Sequence, residues 1–164
     1  MSDEVTIRPA TIRDADIIAG FAMTLVEQHV AYDPVRFSRI ADREGMARYY
    51  GGRTEAENAA VLVAEMGGKV VGFAYLEYEP ILYADLAVRV AWLHDIFIDN
   101  PARGSGVGRR LIDAVKSEAK RLGAGKVLLS VAARNAAGRA FFDSSGFTTT
   151  MHEMMFVIDD DARN

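Results

Sequence analysis

The spacing of apolar residues changes several times along the chain, and each change marks a new element. Val5 to Arg8 alternates apolar and polar positions, as a short half-buried strand does. After Thr11-Ile12-Arg13-Asp14 the spacing becomes helical and continues to about Val30, with Thr11 or Asp14 placed to cap the first turn. Asp33-Pro34 is a helix-start signal. Val35, Phe37, Ile40, Met46 and Tyr49 carry a second helical pattern, interrupted near Asp42, to Gly51-Gly52. Two β-rich apolar runs, Ala59 to Met66 and Lys69 to Glu77, flank Gly67-Gly68 and predict a hairpin. Glu79 to Asp85, with Pro80, reads as a loop. Val88 to Ile98 reads as a strand that becomes apolar on both faces, the pattern of a central strand.

In the second half, Val107, Leu111, Ala114, Val115, Ala119 and Leu122 share one helical stripe that excludes Arg109, Arg110, Lys116 and Lys120, and Gly123 supplies the stop. Lys126 to Val131 predicts a buried strand and Asn135 to Ser145 a helix closed by Gly146. Met151 to Ile158 predicts a final strand, followed by a solvated Asp159-Asp160-Asp161 tail. The order β, α, α, β, β, β, α, β, α, β, with no repeat or linker, predicts one α/β (α+β) domain over residues 1–164, a length that can bury one sizeable core.

Between the central strand and its helix lies Arg103-Gly104-Ser105-Gly106-Val107-Gly108. Glycines at 104, 106 and 108 permit positive φ and a close approach of backbone to ligand, and the first N–H groups of the following helix lack intrahelical partners. Such a turn cradles a pyrophosphate. A P-loop needs GxxxxGK[ST], and no Lys-Ser or Lys-Thr follows. A dinucleotide fingerprint needs GxGxxG with an acid about 20 residues on, whereas the next strand runs into Ala132-Ala133-Arg134. The spacing present is RxxGxG.

That hexapeptide resembles the signature loop of the GNAT superfamily of N-acetyltransferases. Asn135, Phe141-Phe142 and Gly146-Phe147 extend the likeness to the family's NxxAxxxY and GF pattern, with Gly138 standing where the pattern has alanine. The resemblance covers residues 92–147 closely and the earlier residues in their order of elements. It implies a mixed sheet flanked by helices with a splayed central strand pair, and acetyl-CoA as cosubstrate. Pantetheine would be held by the main chain of Ile96, Phe97 and Ile98, and pyrophosphate by Arg103, Gly104, Ser105, Gly106, Val107, Gly108 and Arg109. Asn135 would contact the cofactor or cap its helix, and Phe142 would occupy the leaving-sulfur position. The family's tyrosine there protonates the departing thiolate. Phenylalanine cannot, which leaves Tyr78, Tyr83 or Ser144 as substitutes. The two-part segment after the first strand implies a wall of the substrate site.

His94 and Asp95 stand consecutively on the central strand, so regular alternation would point them to opposite faces. Diamine acetyltransferases, which this segment resembles, carry an acidic base or water-positioning residue where His94 stands. Histidine still suits proton removal at neutral pH, since its ordinary pKa is near 6.5. His94 is thus either the base or a satisfied polar residue near a strand end. Asp95 is a second catalytic candidate or a structural acid, and Glu77 and Glu79, near the end of the neighbouring strand, are candidate substrate residues.

Charge sharpens this picture. Residues 103–126 hold seven Arg or Lys against two acids, which suits a phosphate-rich cosubstrate, while residues 77–99 hold five acids against one Arg, which suits a cationic amine. The formal net charge of −4 argues against nucleic acid. The chain lacks a long apolar span, and Met1-Ser2-Asp3-Glu4 is acidic rather than a basic signal start, so no membrane partner and a cytoplasmic location are expected. With no cysteine, an acyl-cysteine route is impossible, and His29 and His152 are isolated, so no catalytic metal is expected. The expected activity is direct acetyl transfer to a primary amine, such as a polyamine or an aminoglycoside-like compound. The alternatives are a protein N-terminus or lysine as acceptor, or a non-catalytic acyl-CoA-binding regulatory module. Edge strands suggest a homodimer without identifying its interface.

Overall fold

In a computed structural model, which describes residues 4–159, the predicted hairpin is the middle of a five-stranded sheet. Strands β1 (Val5–Pro9), β2 (Ala59–Met66), β3 (Lys69–Leu82), β4 (Ala87–Ile98) and β5 (Lys126–Leu128) lie in sequence order. The first four pair antiparallel and β5 joins β4 in parallel, so the sheet is mixed. Helices α1 (Ala15–Tyr32) and α2 (Arg43–Arg53) cover one face, and α3 (Val107–Arg121) and α4 (Ala136–Ser144) the other. Alternation along the strands sorts the core between them. Val61, Val63, Phe73 and Tyr75 pack with Ile18, Ala22 and Tyr50, whereas Leu62, Ala74, Leu76 and Ala91 pack with Leu111, Ile112 and Val115.

Four expectations need correction. The second helix does not begin at Asp33-Pro34: Asp33 Oδ1 accepts from the N–H groups of Val35 and Arg36 and closes a turn instead. The helix waits for Asp42, which caps it through Gly45 N–H. The predicted loop at Glu79–Asp85 is mostly strand, because β3 continues through Pro80 to Leu82, opposite Ala87. Proline is tolerated there because Tyr78 N–H points to Asn58, on the β2 side, and the N–H that Pro80 lacks would point the same way, past the start of β2. The strand predicted to end at Val131 keeps its ladder only to Leu128. Met151 to Ile158 forms no strand, because no neighbour within the described residues supplies a ladder. Met1 to Asp3 of the acidic start, and Asp160 and Asp161 of the acidic tail, lie outside the described residues.

The entry to α1 matches expectation. Thr11 and Asp14 cap each other's backbone groups in a single 3₁₀ turn that runs directly into the helix.

Candidate active site

Parallel pairing joins Val90–Trp92 to Lys126–Leu128 and then stops, so β4 from Leu93 to Ile98 has no ladder partner on the β5 side. A backbone edge left free in this way accepts an extended amide ligand. The splay opens a cleft of about 80 Å³ that brings together His94, Asp95 and Ile96 of β4, His29 of α1, and Asn135 and Phe142.

The ladder between β3 and β4 is irregular at this point. Tyr75 pairs with Asp95 but Leu76 pairs with Leu93, which leaves His94 as an extra residue in a β-bulge. The bulge overturns the expectation of opposite faces. The His94 ring stacks on Tyr75, with centroids 5.1 Å apart, and Asp95 accepts a 2.8 Å hydrogen bond from Tyr50 Oη. Tyr50 itself packs edge-on against Tyr75, so both residues stand on the α1/α2 side.

His94 Nε2 lies 3.9 Å from Glu77 Oε2, and its side chain is 41% exposed. Partial burial pushes the imidazole below its ordinary value, outweighing the pull of Asp95 and Glu77, so the ring is neutral at neutral pH. Burial pushes the Asp95 carboxyl up, although Tyr50 and the nearby His94 and His29 oppose the shift. Burial also raises Tyr50, with Asp95 adding to it, so this hydroxyl stays protonated and donates. Burial works against the charge of Glu77, but Tyr75, Arg53, Asn58 and His94 together hold its carboxyl below the usual range. Tyr75 Oη donates to it at 2.6 Å and an Arg53 nitrogen lies 3.2 Å away. Glu79 follows on β3 opposite Val90, half-buried.

At the far end of β4, Gly104 and Gly106 have φ of 79° and 87°, and no atom lies within 4 Å of where a Cβ would sit on either. The turn faces open space, and Gly106 immediately precedes α3, whose first N–H groups face the same opening. These residues fit a diphosphate. Val107 anchors the turn, fully buried with Ala64 and Ala102. Arg103 Nε donates to Ile98 O at 3.0 Å and its guanidinium lies over the Phe97 ring, which ties the turn to the end of β4. Ser105 and Arg109 are exposed. Gly108 is corrected: it has ordinary helical φ, and its missing Cβ admits the Phe141 ring, whose nearest atom would lie 3.1 Å away.

Asn135 caps α4 through Gly138 N–H at 2.9 Å. A Cβ at Gly138 would lie 2.4 Å from Asn135 Nδ2, so the capping amide would have to turn to admit the alanine of the family pattern. Phe142 is half-buried between Phe141 and Phe147, with one side on the cleft. The suggested substitutes for its missing hydroxyl lie elsewhere. Tyr83 is 80% exposed on the β3–β4 connection, Ser144 Oγ donates to Phe141 O, and Tyr78 sits beside Gly123.

The family model for the Acetyltransferase (GNAT) family matches residues 18–147. This chain is a GNAT acetyltransferase. An uncharacterized N-acetyltransferase, YhfO, of Bacillus subtilis is 28% identical over 143 residues, covering 87% of this chain and 89% of the relative. The L-methionine sulfoximine/L-methionine sulfone acetyltransferase of Salmonella typhimurium is 27% identical over 146 residues, covering 85% and 81%. Among solved structures, the aminoglycoside N-acetyltransferase AAC(6')-Iy in complex with CoA superposes with a TM-score of 0.79 at 18% identity over 96% of both chains. A Clostridium acetobutylicum acetyltransferase with acetyl-CoA gives 0.72 at 16% identity, over 94% of this chain and 97% of the other.

The acyltransferase therefore carries the splayed mixed sheet that the family resemblance implied. Several cleft residues escaped the sequence analysis. Tyr50, Tyr75, Arg53 and His29 reach the cleft or its polar cluster from helices and a strand far apart in the chain, and no local spacing signals them.

Proposed function

We propose that this GNAT acetyltransferase moves an acetyl group from acetyl-CoA directly to the primary amine of a small cationic molecule in the cytoplasm. The bulge carries this reading: it sets the neutral His94 ring and the Asp95 carboxyl on the same side of β4, where the strand's backbone is unpaired. Main-chain groups of Ile96, Phe97 and Ile98 hold the pantetheine arm, and the turn Arg103 to Arg109 holds the diphosphate, with Asn135 at the rim. The ammonium first gives one proton to solvent; His94 then takes the second from the attacking nitrogen as the C–N bond forms and the C–S bond breaks, and water protonates the leaving thiolate. Backbone N–H groups at the bulge polarise the thioester carbonyl. No metal takes part.

The amine arrives as a cation, and Glu77 and Glu79 with the face of Trp92 receive it. A second reading is an amino-acid derivative as acceptor, supported by Arg53, whose buried Nε has no partner among the described residues and would pair an acidic group. Thiol release from acetyl-CoA, measured across polyamines, aminoglycosides, amino-acid sulfones and lysine peptides, decides. Turnover of polyamines or aminoglycosides is expected. Turnover of the sulfones alone selects the second reading, turnover of peptides alone a protein acceptor, and release with none of them a binding module.

The cleft face of Phe142 leaves the departing thiolate to water. Phe142→Tyr adds only a hydroxyl, so kcat is expected to equal or exceed wild type with acetyl-CoA affinity little changed. A strong loss of acetyl-CoA affinity, measured by calorimetry, would place Phe142 in packing rather than beside the sulfur.

A further inference from the structure

The sequence leaves His29 isolated, but the fold brings it to the cleft, half-buried in the last turn of α1. Its Nδ1 lies 2.7 Å from Leu25 O, one turn back on the same helix. A carbonyl oxygen only accepts, so Nδ1 carries the hydrogen, and in the neutral ring Nε2 then carries the lone pair. That atom points away from the helix's own backbone and has no hydrogen-bond partner among the described residues. Phe37 and Tyr32 meet the ring edge-on, with centroids 4.9 and 6.1 Å away, and fix its plane. Arg134, beside Asn135, donates to Tyr32 O at 3.0 Å, which ties this end of α1 to the opposite wall of the cleft.

The cleft therefore presents two imidazoles from unrelated elements, His94 on the bulge of β4 and His29 on α1, around a volume of about 80 Å³. Asp95 lies within electrostatic reach of both. Neither ring depends on the other for its orientation, since His94 is held by its stack on Tyr75 and His29 by Phe37 and Leu25 O. A primary amine ready to attack has one lone pair and two N–H bonds. The lone pair must face the thioester carbon and His94 takes one hydrogen, which leaves one N–H that is costly to bury without a partner.

We propose, on the footing of the amine transfer described above, that His29 Nε2 accepts this second N–H of the attacking nitrogen and so selects primary over secondary amines. The hydrogen it holds is not transferred: it stays on nitrogen and becomes the N–H of the product amide, while His94 receives the one that leaves. With both hydrogens directed, the lone pair is aimed at the carbonyl. A secondary amine has one N–H only, and would set a carbon against the lone pair of Nε2.

His29→Phe keeps the aromatic edge contacts and removes both nitrogens. Putrescine and N,N′-dimethylputrescine are compared by thiol release from acetyl-CoA; where the panel turns over an aminoglycoside alone, that compound and its form N-methylated at the acetylated nitrogen replace them. In the wild type kcat/KM is expected to favour the primary amine by roughly 10- to 100-fold, the penalty of leaving a buried polar group unpaired. In His29→Phe the primary amine is expected to lose roughly that factor while the secondary amine changes by less than about threefold, so the preference collapses with acetyl-CoA affinity unchanged. A merely structural histidine would slow both amines alike. Equal losses, or a wild type without the preference, leave the acetyl transfer standing and overturn the role of His29, whereas no thiol release with any amine removes both. Nitrogen NMR of the ¹⁵N-histidine-labelled protein in alkaline buffer reads the same atom without substituting it, because the chain has three histidines and His94→Ala and His152→Gln assign the third by elimination. Nε2 of His29 is expected to be the unprotonated nitrogen and to shift when putrescine is added to the CoA complex. An Nε2 that carries the hydrogen, or that ignores putrescine, overturns the proposal.

Discussion

Gly106→Val is expected to weaken acetyl-CoA binding by roughly 100-fold or more while the protein stays folded, the loss that follows when two or so charge-assisted hydrogen bonds go. Gly106 has φ of 87°, a region that costs a β-branched residue strain, and its Cβ would project into open space rather than into any neighbour. The damage therefore falls on the ligand side of the turn: the added isopropyl group occupies the room a diphosphate needs and tilts the first N–H groups of α3. Calorimetric titration with acetyl-CoA, beside a thermal melt, reads both quantities. Gly108→Ala provides the contrast. Its Cβ meets the Phe141 ring, so it should lower the melting temperature more than it weakens binding. Unchanged acetyl-CoA affinity in a folded Gly106→Val protein would remove the diphosphate from this turn.

The second large effect is at His94. His94→Ala should lower kcat/KM by roughly 10²- to 10⁴-fold, the usual contribution of a general base. The pH dependence carries the sharper signature. Burial holds the imidazole below its ordinary value of 6.5, so the base form is full at neutral pH and is lost as pH falls through that lowered value. The wild type should show this acidic limb and the variant should not. Asp95 accepts from Tyr50, which stays protonated, and its carboxyl, raised by burial, protonates on the same acidic side, so the limb belongs to His94 only if it survives in Asp95→Asn and disappears in His94→Ala. A His94→Ala profile that retains the limb would return His94 to a structural place on the strand.

How far the sequence could be read depends on the range of the interactions. The glycine turn, the β2–β3 hairpin and the stripe of α3 were legible because each is decided within a few residues: positive φ at Gly104 and Gly106, two glycines at a hairpin tip, a 3.6-residue period. Asp33-Pro34 misled because an Asx turn and a helix start share the same residues, and the choice between them is made by the chain beyond Arg36. Met151 to Ile158 has the composition of a strand, but a strand needs a partner, and composition does not name one. His94 and Asp95 were found as residues and misplaced as geometry. A bulge is a property of two strands' relative lengths, and neither strand shows it alone.

That single extra residue makes β4 two strands in phase opposition. Upstream, odd-numbered Ala91 and Leu93 turn toward α3, while downstream, odd-numbered Asp95 and Phe97 turn toward α1 and α2. The functional information at position 94 is therefore partly a matter of counting. Any side chain substituted there leaves the parity change intact, whereas excising the residue would make Leu93 and Asp95 consecutive in a regular ladder, opposite Leu76 and Tyr75, with both halves of the strand keeping their sides and the bulge alone lost. The cleft is written into the chain as an insertion as much as a histidine.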